Sequence, residues 1–405
     1  MRIIDRKNYI DRLIPLIQKP DIKIITGIRR SGKSELLHAF MNYIVSSIED
    51  ANIIFIDLLN LENEDLCEYH RLNEYILKAS KEKNNFLFID EAQNCKNFEL
   101  VINSLYNKKN HDIYLTGSNA FLLSSDLSTY FTGRYFEISI FPFSFEEYIK
   151  YMYADKDFDT DIAFENYVVE GGLAGSYVYD SINDKYDYIN NIFRTIIEKD
   201  LIKKYKIRNT VVLSNLSEYL ISNIGNLFSS NTLTNIIRKE NDSTNHVTLK
   251  KYLKYLCNSF LFYESKRYDI HGKKYMELNN KYYLADHSFK WSILGNKDLD
   301  VGRIYENIVY IELLRRGYEV FVGKLYDKEI DFVCKLGDDI KFMQVSNDIS
   351  NESTLDREIR PLLSIKSGYE KIIIARTKQD VIIKDGIKIY DIARWLLGSH
   401  SSPIR

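Results

Sequence analysis

Gly27, Gly32, Lys33 and Ser34 stand in the run Gly27-Ile28-Arg29-Arg30-Ser31-Gly32-Lys33-Ser34, which satisfies GxxxxGK[ST] at every fixed position. Each fixed residue type has a chemical reason. The glycines let the backbone curl until its N–H groups point at one small region where phosphate oxygens would accept them. A helix amino terminus just beyond adds a favourable dipole. The Lys33 ammonium would supply charge to the β- and γ-phosphates of a nucleoside triphosphate, and the Ser34 hydroxyl would ligate Mg²⁺. The stretch expected to hold the nucleotide is Gly27, Ile28, Arg29, Arg30, Ser31, Gly32, Lys33, Ser34 and Glu35, with ATP and Mg²⁺ as the ligands.

A second group agrees with the first. Phe86-Leu87-Phe88-Ile89 is an apolar run ending in Asp90-Glu91. Asp90 would hold the magnesium directly or through water, and Glu91 would polarise the attacking water as general base. A third run, Asp112 to Leu115, leads into Thr116-Gly117-Ser118-Asn119. Ser118 and Asn119 stand where a polar side chain could reach the γ-phosphate or the lytic water. They are also favoured helix caps, and the two roles are compatible.

These side chains need strands and a helix to position them. Ile22 to Thr26 is short and apolar, as a buried parallel strand requires. After the glycine turn, Leu36, Leu37, Phe40, Met41, Ile44 and Val45 recur at helical spacing. Strand, glycine-rich turn and helix thus follow in the order the motif demands, which makes a chance match a poor explanation.

Composition sets the outer bounds. A chain of 405 residues exceeds one ordinary core, so two or three domains are expected. The formal net charge is −2, so any nucleic-acid contact must come from a local patch. No apolar run is long enough to cross a bilayer, and the amino terminus lacks a signal-peptide core. Cys67, Cys95, Cys257 and Cys334 form no CxxC pair and the histidines show no zinc spacing. These features predict a reduced, cytoplasmic protein with no membrane partner.

The sequence resembles a prokaryotic group of AAA-type ATPases in which a P-loop domain precedes a carboxyl-terminal region of unknown function. The matching pieces are TGIRRSGKS (26–34), FLFIDEAQN (86–94), YLTGSN (114–119), TGRYFEISIFPFSFEEY (132–148), YVVEGGLAGSY (167–177) and IIEKDL (196–201). The first two are generic to P-loop ATPases, whereas GRY followed by PFSFEEY is particular to this group. The resemblance implies that Arg134 acts as a finger on the γ-phosphate, in its own subunit or a neighbour's. The plain alternative is a structural pairing with Glu146 or Glu147. Ser144 and Glu147 also read as a capping box. One departure is small: the group usually has proline after its double glycine, where this chain has Leu173-Ala174 after Gly171-Gly172.

Residues 211–290 read as a winged helix. A helix from about 212 to 226 is followed by Ser229-Ser230-Asn231 as a cap for a short helix carrying Leu233, Ile236 and Ile237. Another helix has Val247, Leu249, Tyr252, Leu253 and Leu256 on its apolar side, and two strands meet at His271-Gly272. Thr248, Lys250, Lys251 and Lys254 on the recognition helix, with Lys266, Arg267, Lys273 and Lys274 on the wing, would suit duplex DNA phosphates. The same residues would equally form a solvated surface on a protein-docking module.

The last hundred residues resemble the PD-(D/E)xK nuclease core that ends many members of the group. Glu306 and Asp331 stand for its helix Glu and strand Asp. Gln344 and Ser346 stand where the motif has Glu and Lys. A neutral amide is a poor Mg²⁺ ligand, and the missing lysine removes the cation that would stabilise developing charge. A nuclease-like fold without nuclease activity is expected.

The predicted architecture is α/β: a P-loop parallel sheet flanked by helices (1–145), a helical linker or lid (146–210), the winged helix (211–290) and a small α/β nuclease-like domain (300–400). The expected function is ATP binding and hydrolysis that rearranges the carboxyl-terminal regions on a DNA or protein partner, in a monomer or an oligomer. A slow nucleotide-gated switch is the alternative, and an ATP-dependent nuclease the third reading.

Overall fold

A computed structural model describes residues 4–119, 131, 133–154, 156–228, 246–295 and 300–398. The chain packs as two compact units, Met1–Ile140 with Asn258–Phe260, and Phe141–Cys257 with Leu261–Arg405.

The first unit is an α/β layer. Its strands are β1 (Ile22–Thr26), β2 (Asn52–Asp57), β3 (Asn85–Asp90), β4 (His111–Gly117) and β5 (Tyr135–Ser139), in the order β2-β3-β4-β1-β5. Every pairing is parallel. β1 and β3 are buried along their whole length, which is why they read as continuous apolar runs rather than alternating ones. The helices α1 (Lys7–Leu13), α2 (Lys33–Ser47), α3 (Tyr69–Ala79) and α4 (Phe98–Lys108) cover the sheet through two apolar clusters. Leu36, Leu37, Phe40, Met41 and Ile44 of α2 are buried as their spacing predicts. Val45 is 61% exposed, because one residue beyond Ile44 rotates it off the apolar face. This is the expected P-loop sheet flanked by helices, followed by a helical and small α/β region.

The second unit begins with the helix Phe145–Met152, whose capping box is formed in full: Ser144 Oγ accepts from Glu147 N at 3.1 Å and Glu147 Oε2 accepts from Ser144 N at 2.9 Å. Helices Thr160–Glu170, Ile182–Thr195 and Thr210–Ser222 follow, with a π-helical stretch at Ile196–Lys203. The predicted cap and short helix at 229–237 lie outside the described residues. The helix His246–Asn258 carries the expected apolar residues, with Leu249, Tyr252, Leu253 and Leu256 buried; Val247 is exposed.

Next come β6 (Phe262–Asp269) and β7 (Lys274–Leu284), an antiparallel hairpin whose turn is fastened by Asp269 Oδ1 accepting from His271 N and Gly272 N. With β8 (Glu319–Leu325), β9 (Lys328–Leu336), β10 (Asp339–Ser346), β11 (Glu370–Ala375), β12 (Ile382–Lys384) and β13 (Ile387–Asp391) they build one sheet, ordered β12-β13-β11-β10-β9-β8-β6-β7. The hairpin read as the wing is therefore part of this sheet. Arg267 to Asp269 pair in parallel with Val322 to Lys324, and Ser265 Oγ donates to Val320 O. The sheet crosses the boundary expected between residues 290 and 300. The helix Val301–Arg315, buried from Ile304 to Leu313, packs on this sheet in a core that includes Tyr283, Phe332, Met343, Ile372 and Trp395.

Candidate functional site

The phosphate loop links the carboxyl end of β1 to α2. Gly27 has φ +150°, and a Cβ there would lie 2.2 Å from the Ile140 carbonyl oxygen, so no side chain fits. At Gly32 (φ +91°) a Cβ would make only an ordinary contact with Arg6 Nη1, at 3.6 Å, and glycine is needed for the left-handed backbone at the N-cap of α2. Lys33 opens the helix, and its buried ammonium donates to the carbonyls of Gly27 and Ile28 at 3.0 and 3.1 Å. That folds the lysine back across the loop, over the place where phosphate would sit. Ser31 Oγ is buried with no hydrogen-bond partner among the described residues, a polar atom left for something the loop would enclose. Arg29, Arg30 and Ile28 fill the bend, Arg30 with a positive φ, while Glu35 lies in the first turn of α2.

The two predicted magnesium ligands are brought together. Ser34 Oγ donates to Asp90 Oδ2 at 2.6 Å. Burial raises the Asp90 carboxyl above the usual carboxylate range, and the Ser34 and Thr116 hydrogen bonds hold it back. A hydroxyl and a carboxylate on one point are hard oxygen donors of the kind Mg²⁺ takes, so the residues present fit the ion.

Thr116, at the end of β4, joins the two carboxylates. Its hydroxyl donates to Asp90 Oδ1 and accepts from Glu91 N at 2.9 Å. Glu91 has a left-handed backbone (φ +53°) that turns it away from β3. Its Oε2 accepts from Ser118 Oγ at 3.1 Å, from Ser118 N at 3.3 Å and from the Gln93 amide. Ser118 thus meets Glu91, while the helix it was expected to cap lies outside the described residues. Asn119 is buried beside it at the end of the same strand.

Arg134 stands elsewhere. It precedes β5, its carbonyl accepts from Ile22 N at 2.8 Å, and its guanidinium lies 5.2 Å from the Tyr106 ring centre. That is the amino edge of the parallel sheet, and the phosphate loop is at the carboxyl edge. The five residues of β1 separate them by about 16 Å. Within one subunit Arg134 does not reach the phosphates. Its proposed structural partners are engaged otherwise, Glu146 with Lys150 and Glu147 in the capping box.

Two contributors carry no motif that sequence reading could use. Thr116 was visible only as part of a strand end. Arg6, far upstream, is buried and donates from Nη1 to Ser31 O at 2.7 Å, pinning the loop from outside.

The AAA domain family matches residues 19–149, and a domain of unknown function (DUF8612) matches 162–300. An uncharacterized protein of Haemophilus influenzae is 36% identical over 400 residues, covering 98% of this chain and 99% of its own. The chain belongs to one family with this Haemophilus influenzae protein, and its residues 19–149 are an AAA domain. An uncharacterized protein of Methanocaldococcus jannaschii is 27% identical over 396 residues, 92% of this chain and 83% of that one. Among solved structures, the Walker-type ATPase of Pyrococcus abyssi is 16% identical with a TM-score of 0.49, covering 72% of this chain and 96% of that chain. Nucleotide binding by this AAA-type chain follows from the family and the loop together. Among the described residues no helix is long and apolar enough to cross a membrane.

Proposed function

We propose that this AAA-type protein hydrolyses ATP with Mg²⁺ and uses the nucleotide state to rearrange its carboxyl-terminal region on a DNA or protein partner. The observation that carries the reading is the network Ser34–Asp90–Thr116–Glu91, which ties a metal-ligand pair to a carboxylate one residue further along. Backbone N–H groups from Gly27 to Ser34 bind the phosphates, with Glu35 in the same first turn. Lys33 neutralises charge on the β- and γ-oxygens, and Ser34 and Asp90 hold Mg²⁺, which supplies electrostatic stabilisation of the phosphoryl group. Glu91 accepts the proton of the attacking water, and Asn119 positions that water or the γ-phosphate. Arg134 serves a neighbouring subunit's nucleotide.

A second reading has its own support. Glu91 Oε2 already has three protein donors, which compete with water for that oxygen. A resting state of this kind suits a slow nucleotide-gated switch. ATP turnover measured with and without duplex DNA, beside Glu91→Gln, separates the readings. Repeated turnover that Glu91→Gln abolishes supports the motor. Release of about one phosphate per subunit supports the switch, and turnover unchanged by Glu91→Gln removes Glu91 from its role.

For the partner, duplex DNA is supported by the exposed Lys250, Lys251 and Lys254 on one helix of the winged-helix region. Tyr255 of that helix stacks on Tyr205 at 3.6 Å, with Lys251 and Lys204 over the outer rings. Charge reversal at the three lysines is expected to weaken DNA binding and flatten its salt dependence; unaltered affinity would place the contact elsewhere. The final domain is read as nuclease-like and non-cleaving.

A further inference from the structure

The nuclease resemblance implies a divalent metal held by Glu306 and Asp331. Those residues do converge, but on a lysine. Lys281 of β7 is 1% exposed, and its Nζ lies 2.9 Å from Glu306 Oε1, 2.8 Å from Glu329 Oε1 and 3.8 Å from Asp331 Oδ1. The strand delivers it there: Lys281 and Tyr283 alternate onto one face of β7, and the Tyr283 hydroxyl donates to the same Glu306 oxygen at 2.7 Å. The other Glu306 oxygen accepts from Arg303 Nη1 at 2.6 Å. Asp331 Oδ2 accepts from Val345 N at 2.9 Å.

The third motif position closes the cluster further. Gln344 Oε1 accepts from Asp331 N at 2.7 Å, and its amide donates to Glu358 Oε2 at 3.1 Å. Ser346 Oγ turns to the Asp348 carbonyl. Lys281 Nζ is at hydrogen-bond distance from Glu306 and Glu329 and at ion-pair distance from Asp331, so it fills the point on which the three carboxylates converge. Both oxygens of Glu306 are already used. Among the described residues no group of three or more His, Cys, Asp or Glu is arranged to hold a metal. The residues do not fit the metal.

We propose that the Lys281 ammonium is the resident cation of this cluster, standing in for the divalent ion of the nuclease core and converting a catalytic site into a structural ion-pair knot. The charge balance supports it. Three carboxylates, Glu306, Glu329 and Asp331, face two fixed cations, Lys281 and Arg303. This inference rests on reading the last domain as nuclease-like and is independent of ATP hydrolysis.

The test uses the full chain carrying Ser34→Ala, which mutes the phosphate-loop metal site, without nucleotide. Mn²⁺ titration followed by electron paramagnetic resonance should show no bound ion in this parent. Mn²⁺ bound by the parent and lost on adding Asp331→Asn overturns the proposal, and this measurement needs no change at Lys281. Adding Lys281→Met should lower the melting temperature in EDTA by about 10 °C, since it strands buried carboxylates. Mn²⁺ should restore that loss in the variant alone. A variant that melts like its parent in EDTA, or is destabilised yet not restored by Mn²⁺, also overturns it, for the lysine would then be packing only.

Discussion

Ser34 Oγ and Asp90 Oδ2 are hydrogen-bonded at 2.6 Å across 56 residues of sequence. The pair satisfies itself where a metal ion would otherwise be shared, so Mg²⁺ with ATP should break this bond and take both oxygens. Asp90→Asn is expected to weaken Mg²⁺ at least about 10-fold, the loss typical of groups even one shell out. Nucleotide should still bind in EDTA. Lys33→Ala should instead weaken nucleotide itself by roughly 10- to 100-fold, the value of a charged hydrogen bond. Titrating a fluorescent ATP analogue with and without Mg²⁺ distinguishes the two, and equal behaviour of both variants would dissolve the assignment.

Glu91 and Ser118 offer a sharper test of catalysis. Glu91→Gln should keep ATP affinity and lose about 10²- to 10⁴-fold in turnover, the range for a general base. Ser118→Ala removes one of the donors on Glu91 Oε2. On the switch reading, turnover then rises several-fold because the carboxylate is freed for water. A fall would show that Ser118 positions Glu91 productively. Steady-state phosphate release reports either result.

The legible parts of this chain are those where one local pattern fixes the backbone. The glycine run, the apolar β1 and β3, and the Ser144–Glu147 capping box all follow from neighbours in sequence. The ties between strands are different. Thr116 reaches Asp90 only because β4 lies beside β3, and Arg6 reaches Ser31 through tertiary packing. Lys281 was hidden for the same reason. A lysine in a strand normally signals an exposed face, and only the converging carboxylates make its burial tolerable. The wing strands read at Phe260 to Tyr268 and Lys274 to Leu284 form a hairpin, but no local signal announces that β6 pairs with a strand far along the chain, as Arg267 does with Val322.

Arg134 sits at the edge of the sheet away from the nucleotide, so its effect should depend on assembly. Arg134→Ala is expected to leave ATP affinity and the turnover of dilute, monomeric protein unchanged. At concentrations where subunits associate, turnover per subunit should fall relative to the parent. Measuring turnover against protein concentration, with solution mass in parallel, checks this. A loss in the monomer would show that the arginine works within its own subunit.

Lys23 and Asp112 form a buried pair at 2.5 Å between β1 and β4, with Gln18 N and the Tyr114 hydroxyl also on Asp112. Burial lowers the Lys23 pKa, opposed by Asp112. Asp112→Ala should cost about 3–5 kcal/mol, because it leaves an ammonium uncompensated in the core. Lys23→Met with Asp112→Leu should recover most of that loss, as apolar replacements of buried pairs often do. Urea unfolding of the single and double variants gives the numbers, and a double variant no better than the single one would mean that the Gln18 and Tyr114 contacts matter more than the pair.

His287 gives the second unit a defined pH dependence. Its ring is buried, with Nε2 2.9 Å from the Tyr167 carbonyl oxygen, which fixes that nitrogen as the donor of a neutral imidazole. Burial lowers its pKa below the ordinary 6.5, and Asp286 partly opposes the shift. Glu312 and Arg315 line the same pocket as His287. Above 6.5 neither folded nor unfolded chain protonates the ring, and this contribution to stability is fully present. As pH falls below 6.5 the unfolded chain takes up a proton that the folded one resists, so stability is lost at up to about 1.4 kcal/mol per pH unit. His287→Gln keeps an amide donor for Tyr167 and cannot titrate. It should melt lower than the parent at about pH 7.5 yet lose less on acidification to about pH 5. Parallel melting curves for parent and variant would refute the assignment, since the acid sensitivity would then belong to other groups.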